Sequence, residues 1–355
     1  MKKIIFTLII ILTVALPVSA QQEVTSYEND IGNIISQYGL DFEKIKEYPF
    51  ETLYDTAKTA IKNTLHKSLQ PFYKVTAVII ITSFINLFNF DYTNQVTKII
   101  NIISVAVIFY SVFGVFMEIT KEISSMLTDT KHFITAFIPV FAGVSLASGQ
   151  IAASAVYTGI FLICMVAVAN FCINYIVPSI NIFLAAGITS SVSQIVNLKP
   201  ICELYHKGVK IAMTASVSVI CFILSLQSTI AQGHDTLALK AGKMLVTSAV
   251  PIIGSALEGA VSSVYASIGI LKSFCGIAGI AVILNIFLPA VVKLAASWLC
   301  YQLMIALGRI MENDASSDLL ECFKNVTEIL LSMSVLFSVL LIFSLTIMIK
   351  TTGAV

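Results

Sequence analysis

Charge is scarce in this 355-residue chain: 12% of its residues are Asp, Glu, Lys or Arg, where a soluble domain carries about a quarter. That deficit excludes a water-covered globular surface over most of the length and places the bulk of the chain in apolar surroundings. Arginine is nearly missing. Arg309 is the single one among 21 basic residues, which removes most bidentate recognition of phosphate or carboxylate. A formal net charge of +1 gives no electrostatic case for nucleic acid or a strongly anionic partner. The seven cysteines form no CxxC pair, and none precedes Cys164, so they read as packing residues rather than a disulfide framework. His66, His132, His206 and His234 stand singly, without the paired spacing a metal site needs. There is no G-x-S-x-G, H-E-x-x-H, P-loop or Gly-rich nucleotide loop. "AQGHD" at 231–235 has no nucleophile beside it. The expectation is therefore no enzyme, no cofactor and no metal, and any ATP-driven role needs a separate ATPase subunit.

What the chain does have is apolar length. It is 57% hydrophobic with a mean hydropathy of +0.92, the mark of an all-α, polytopic helical membrane protein. Lys2 and Lys3, the apolar run Ile4–Ala15 and "PVSA" ending at Ala20 read as a cleaved signal peptide, residues 1–20. Residues 21–72 form a small exported helical region. Ile31, Ile34, Ile35 and Tyr38 mark one short helix there, and Phe50, Leu53, Tyr54, Ala57, Ala60, Ile61, Leu65 and Leu69 mark an amphipathic second. Such a region is too small for a firm core of its own, so packing on the membrane domain is expected.

Two transmembrane helices follow within 73–130, at Val75–Phe90 and Ile99–Ile119, with "DYTNQVTK" between them. "TKEISSMLTDTKH" reads as a polar loop before Phe133–Ser148, Ile151–Ile195 as two helices meeting near Pro178, and "NLKPICELYHKGVK" as a cytoplasmic loop. With Ile211–Leu226, Leu245–Phe274, Gly276–Leu307 and Ile329–Ile349, the reading is seven to nine membrane segments in a multi-pass cell-membrane protein.

Four prolines in these segments share a feature. Thr135 lies four residues before Pro139, Asn174 before Pro178, Thr247 before Pro251 and Asn285 before Pro289. A helical proline leaves the carbonyl four residues back without a donor, and in lipid protein groups must supply one. Thr hydroxyls and Asn amides are suited to that local repair. Pro251 follows Pro139 by 112 residues and Pro289 follows Pro178 by 111, while "ASAVY" ending at Tyr157 parallels "VSSVY" ending at Tyr265. This pattern predicts an internal duplication, with 131–228 as the first membrane repeat and 243–349 as the second. Broken helices at matching points of two repeats point to a site or path between them. The candidate residues are thus Thr135, Pro139, Asn174, Pro178, Thr247, Pro251, Asn285, Pro289 and Lys293, with Asn170 and Glu258 as further polar residues at costly positions. Interhelical hydrogen bonding for the asparagines and snorkelling for Lys293 are the plain alternatives. Gly143, Ala147, Gly276 and Gly279 read as close-packing points.

Residues 228–282, "STIAQGHDTLALKAGKMLVTSAVPIIGSALEGAVSSVYASIGILKSFCGIAGIAVI", resemble the most distinctive region of the stage III sporulation protein AE family. "FIPVFAGVSLASGQ" and the closing "FSLTIMI" resemble it too. The resemblance implies a protein of the mother-cell-derived outer forespore membrane, a subunit of a secretion-like channel joining mother cell and forespore and needed for late forespore gene expression. Its implied partners are other stage III A proteins, including a cytoplasmic ATPase and ring-forming proteins, and the forespore protein Q. A stand-alone secondary transporter and a structural platform for ring assembly are the alternatives.

Overall fold

The computed structural model describes residues 26–87, 94–147, 150–192, 199–249 and 254–350. The expected signal peptide and Pro251 lie outside the described residues. Those residues are almost wholly helical, with no strand among them. The helices are α1 (26–37), α2 (Phe42–Glu47), α3 (Pro49–Leu87), α4 (Asn94–Ala147), α5 (Ile151–Val156), α6 (Leu162–Phe171), α7 (Val177–Val192), α8 (Lys199–Ala249), α9 (Gly254–Ile310) and α10 (Asp314–Lys350). Two π turns, Tyr157–Phe161 and Cys172–Ile176, join α5, α6 and α7 into one run.

Several helices outrun the apolar stretches that announce them. The expected loop "TKEISSMLTDTKH" is the middle of α4. Its apolar members Ile123, Met126 and Leu127 are buried, and Thr120 and Thr130 donate to the carbonyls of Phe116 and Met126 one turn back. Glu118, Lys121, Glu122, Ser125, Asp129 and His132 are exposed. At spacings of three and four they form one polar stripe on a continuous helix. "NLKPICELYHKGVK" is likewise helical from Lys199 onward. Among the described residues five helices are long and apolar enough to cross a membrane, with Phe72–Ile85 as a shorter apolar stretch.

The α9–α10 hairpin is the axis of the bundle. It turns at Asn313, whose N–H donates to the Gly308 carbonyl and whose side-chain oxygen accepts from the Ser316 N–H. The two helices run antiparallel, Phe287 meeting Phe337 and Gly279 meeting Leu345. α4 runs antiparallel to α9, with Phe137 against Gly279 and Glu122 against Lys293. α3 joins through Phe72, edge-on to Tyr301 at 5.2 Å. α7 and α8 pack against α10, at Gly187 against Cys322 and Lys210 against Glu328. α1 lies against α4 and α9, with Ile31 and Ile35 fully buried. Gly39 (φ +72°) turns the chain out of α1, and the Asp41 carboxylate then caps α2 by accepting from the Glu43 and Lys44 N–H groups.

Candidate functional site

Asn285, Pro289 and Lys293 stand four residues apart and so share one face of α9. Each is partly buried. The Lys293 ammonium lies 2.7 Å from Glu122 and 3.2 Å from Glu118 on α4. Lys293 is 14% exposed against 45% and 66% for its partners, so the cation sits in the seam and both acids reach in from the polar stripe. Two turns away, the Asn285 amide donates to the Tyr38 carbonyl at the end of α1, 2.8 Å. The Tyr38 hydroxyl donates to the Asp129 carbonyl of α4, 3.2 Å, and its ring stands edge-on to Phe133. Burial, and then the Asp129 charge, hold the Tyr38 phenol above the usual tyrosine range. The seam between α4 and α9 is therefore polar at two levels inside an otherwise apolar bundle.

A second polar knot closes the far end of α4. Lys272 is fully buried on α9; its ammonium donates to the Gln150 side-chain carbonyl and lies over the Phe141 ring at 5.6 Å. A buried cation in an apolar bundle is costly unless satisfied.

The remaining candidates do not join the seam. Thr135 and Pro139 are exposed on α4, and the Thr135 hydroxyl donates to the Lys131 carbonyl, 2.8 Å. Asn174 and Pro178 are exposed too. A π turn precedes the proline there, in which the Val177 N–H donates to the Cys172 carbonyl, five residues back. Cys172 and Ile176 of that turn line an apolar crevice of about 310 Å³ with Met213 of α8 and Phe337 of α10. Asn170 accepts from Lys131, 3.0 Å. Thr247 lies in α8.

Glu118, Glu122 and Lys272 were not among the candidates from the sequence, and Tyr38 stood there only as a helix-face residue. The i, i+4 spacing of Glu118 and Glu122 was the available signal for the first two. Among the described residues no three His, Cys, Asp or Glu side chains converge as metal ligands. The seam offers ammonium, amide and carboxylate groups suited to holding a polar segment or an ion.

Residues 37–353 match the sequence model of stage III sporulation protein AE. A protein of that name from Bacillus subtilis (strain 168) is 22% identical over 188 residues, covering 53% of this chain. The match spans 46% of that relative's length. No solved structure matches the chain. With its helical membrane-type architecture and a family match over nearly its whole length, the chain belongs to the stage III sporulation protein AE family.

Proposed function

We propose that the chain is a membrane subunit of the sporulation channel, a secretion-like complex linking mother cell and forespore, and that the α4–α9 seam is the part of it that serves passage. The observation that carries this is the pairing of Lys293 with Glu118 and Glu122. Polar and ionisable groups at helix-bundle depth are retained for function more often than for packing. The seat of the complex is the outer forespore membrane, after export directed by a signal peptide over 1–20. Its partners are other stage III A proteins, including a cytoplasmic ATPase and ring-forming proteins, and the forespore protein Q. The protein performs no catalysis; energy comes from the ATPase. Duplication rests on the spacing of the four prolines, with repeats over 131–228 and 243–349 that begin inside α4 and α8.

The test replaces Glu118 and Glu122 by Gln and Lys293 by Met in the host. A late forespore reporter, heat-resistant spore counts and the amount of the protein in the membrane are then followed. The expected result is completed engulfment, a dark reporter and normal protein level. Normal spore counts from the triple variant would overturn the role given to the seam.

The platform reading has one observation in its favour. Thr135, Pro139, Asn174 and Pro178 occupy exposed positions, where they are available to neighbouring subunits. Under that reading, substitutions at Asn174 and Pro178 abolish assembly of partner rings while the seam variants sporulate normally.

A further inference from the structure

α1 sits in the groove between α4 and α9 by a small number of separable contacts. Ile31 and Ile35 provide its apolar anchor. The Tyr27 ring lies over Gly143, so close that a Cβ there would come within 2.9 Å of it. Tyr38 closes the other end through its carbonyl, held by Asn285, and its hydroxyl, held on the Asp129 carbonyl. The next residue, Gly39, has a left-handed φ of +72° and nothing within 4 Å of where a side chain would be. Beyond it α2 has its own cap at Asp41. α1 can leave the groove by rotation about Gly39 without dismantling the cap that starts α2.

We propose that α1 is a latch on the seam: seated, it fills the α4–α9 groove and occupies the Asn285 amide; released, it frees that amide and opens the seam toward Lys293. The proposal rests on the channel-subunit reading, because it gives that seam its gate. What enters in place of α1 is a polypeptide segment, which offers the backbone carbonyl that Tyr38 now presents.

Cys275 is a built-in reporter. It is fully buried on α9, and Glu28 of α1 lies within electrostatic reach of its thiol. Cys172, on the π turn, is also buried, at 3% exposure, and serves as the internal control. The experiment follows N-ethylmaleimide labelling of each cysteine by mass spectrometry, using the full chain in lipid nanodiscs. Asn285→Leu, which removes one hydrogen bond from the latch, is expected to raise the Cys275 rate roughly fivefold and leave Cys172 unchanged. Gly143→Ala, which drives a methyl group into Tyr27, is expected to do the same, and adding Tyr27→Ala to it should return the rate toward wild type. A Cys275 rate unmoved in both single variants overturns the latch. So does a parallel rise at Cys275 and Cys172, which means the whole bundle has loosened. No transport is measured, so normal sporulation by the seam variants in the forespore assay sinks the channel reading without touching this result.

Discussion

Lys293 shows how unequal exposure sets the worth of an ion pair. Its acids are largely solvated, so each pair alone contributes about 0.5–1 kcal/mol. Losing one acid leaves the half-buried ammonium a second. Glu118→Gln is therefore expected to be nearly neutral in thermal unfolding, and Glu122→Gln only slightly destabilising. The double variant should exceed their sum, because Lys293 is then left without a carboxylate. Strict additivity would mean that Lys293 snorkels to solvent. Tyr38 gives a second check. Its phenol is held neutral by burial and then by Asp129, so its folded pKa lies above its unfolded value. The stability it brings is complete below about pH 10, the ordinary tyrosine value, and is lost as pH rises through the folded value. Absorbance titration of wild type minus Tyr38→Phe should show a single tyrosine ionising above that ordinary value; one ionising at or below it would remove Tyr38 from the groove. Asn285 and Lys293 were legible in the sequence because an isolated polar residue in an apolar run is conspicuous. The acids opposite Lys293 were not, because Glu122 sits in a stretch whose polarity looks like a loop until its buried Ile123, Met126 and Leu127 are placed on the opposite face, and Glu118 closes the apolar run before it.

Helix contacts depend on where the bundle tolerates no side chain. Gly187 of α7 packs so tightly on Cys322 of α10 that a Cβ would approach its Sγ to 2.5 Å and its Cβ to 2.9 Å. The Cys322 Cβ cannot swing away, so Gly187→Ala must part the two helices, at a cost of about 1–3 kcal/mol. Gly208 of α8 has nothing within 4 Å of that point, and Gly208→Ala should instead stabilise by roughly 0.5–1 kcal/mol through helix propensity. Thermal unfolding of the two variants in the same detergent checks both signs; a neutral Gly187→Ala would show that α7 does not touch α10 there. Gly276 and Gly279 do meet Ile349 and Phe137 across close contacts, as their placement in apolar runs suggested. The response to the prolines was less legible. A sequence names the carbonyl that Pro178 orphans, that of Asn174, but not the π turn Cys172–Ile176 that precedes the proline. At Pro289 the helix runs on unbroken, and Asn285 spends its amide on α1 instead.

Over the whole molecule, apolar length and membrane thickness disagree. The stretch of α9 that holds its most apolar window, Gly269–Ile310, runs for 42 residues, about 63 Å at 1.5 Å per residue, whereas the hydrocarbon core is about 30 Å thick. Even a tilt of about 40°, the upper end of the observed range, accommodates only about 39 Å of helix. Part of this helix must be apolar for another reason, and its surroundings supply one: half of its most apolar window is buried by α3, α4 and α10, against 11% for the corresponding window of α8. Hydropathy responds to lipid and to a protein core alike, so apolar runs and crossings need not correspond one to one. The expectation is that α8 faces lipid while the polar stripe of α4 faces water or a hydrated path. Spin labels placed one at a time at Phe222 and Lys121, in a cysteine-free background reconstituted in bilayers, distinguish these environments. The label at 222 should be relaxed mainly by oxygen and the label at 121 mainly by a water-soluble nickel chelate. If the label at 121 also prefers oxygen, the stripe lies against lipid, Glu118 and Glu122 are buried in hydrocarbon rather than lining a path, and the seam loses its claim to passage.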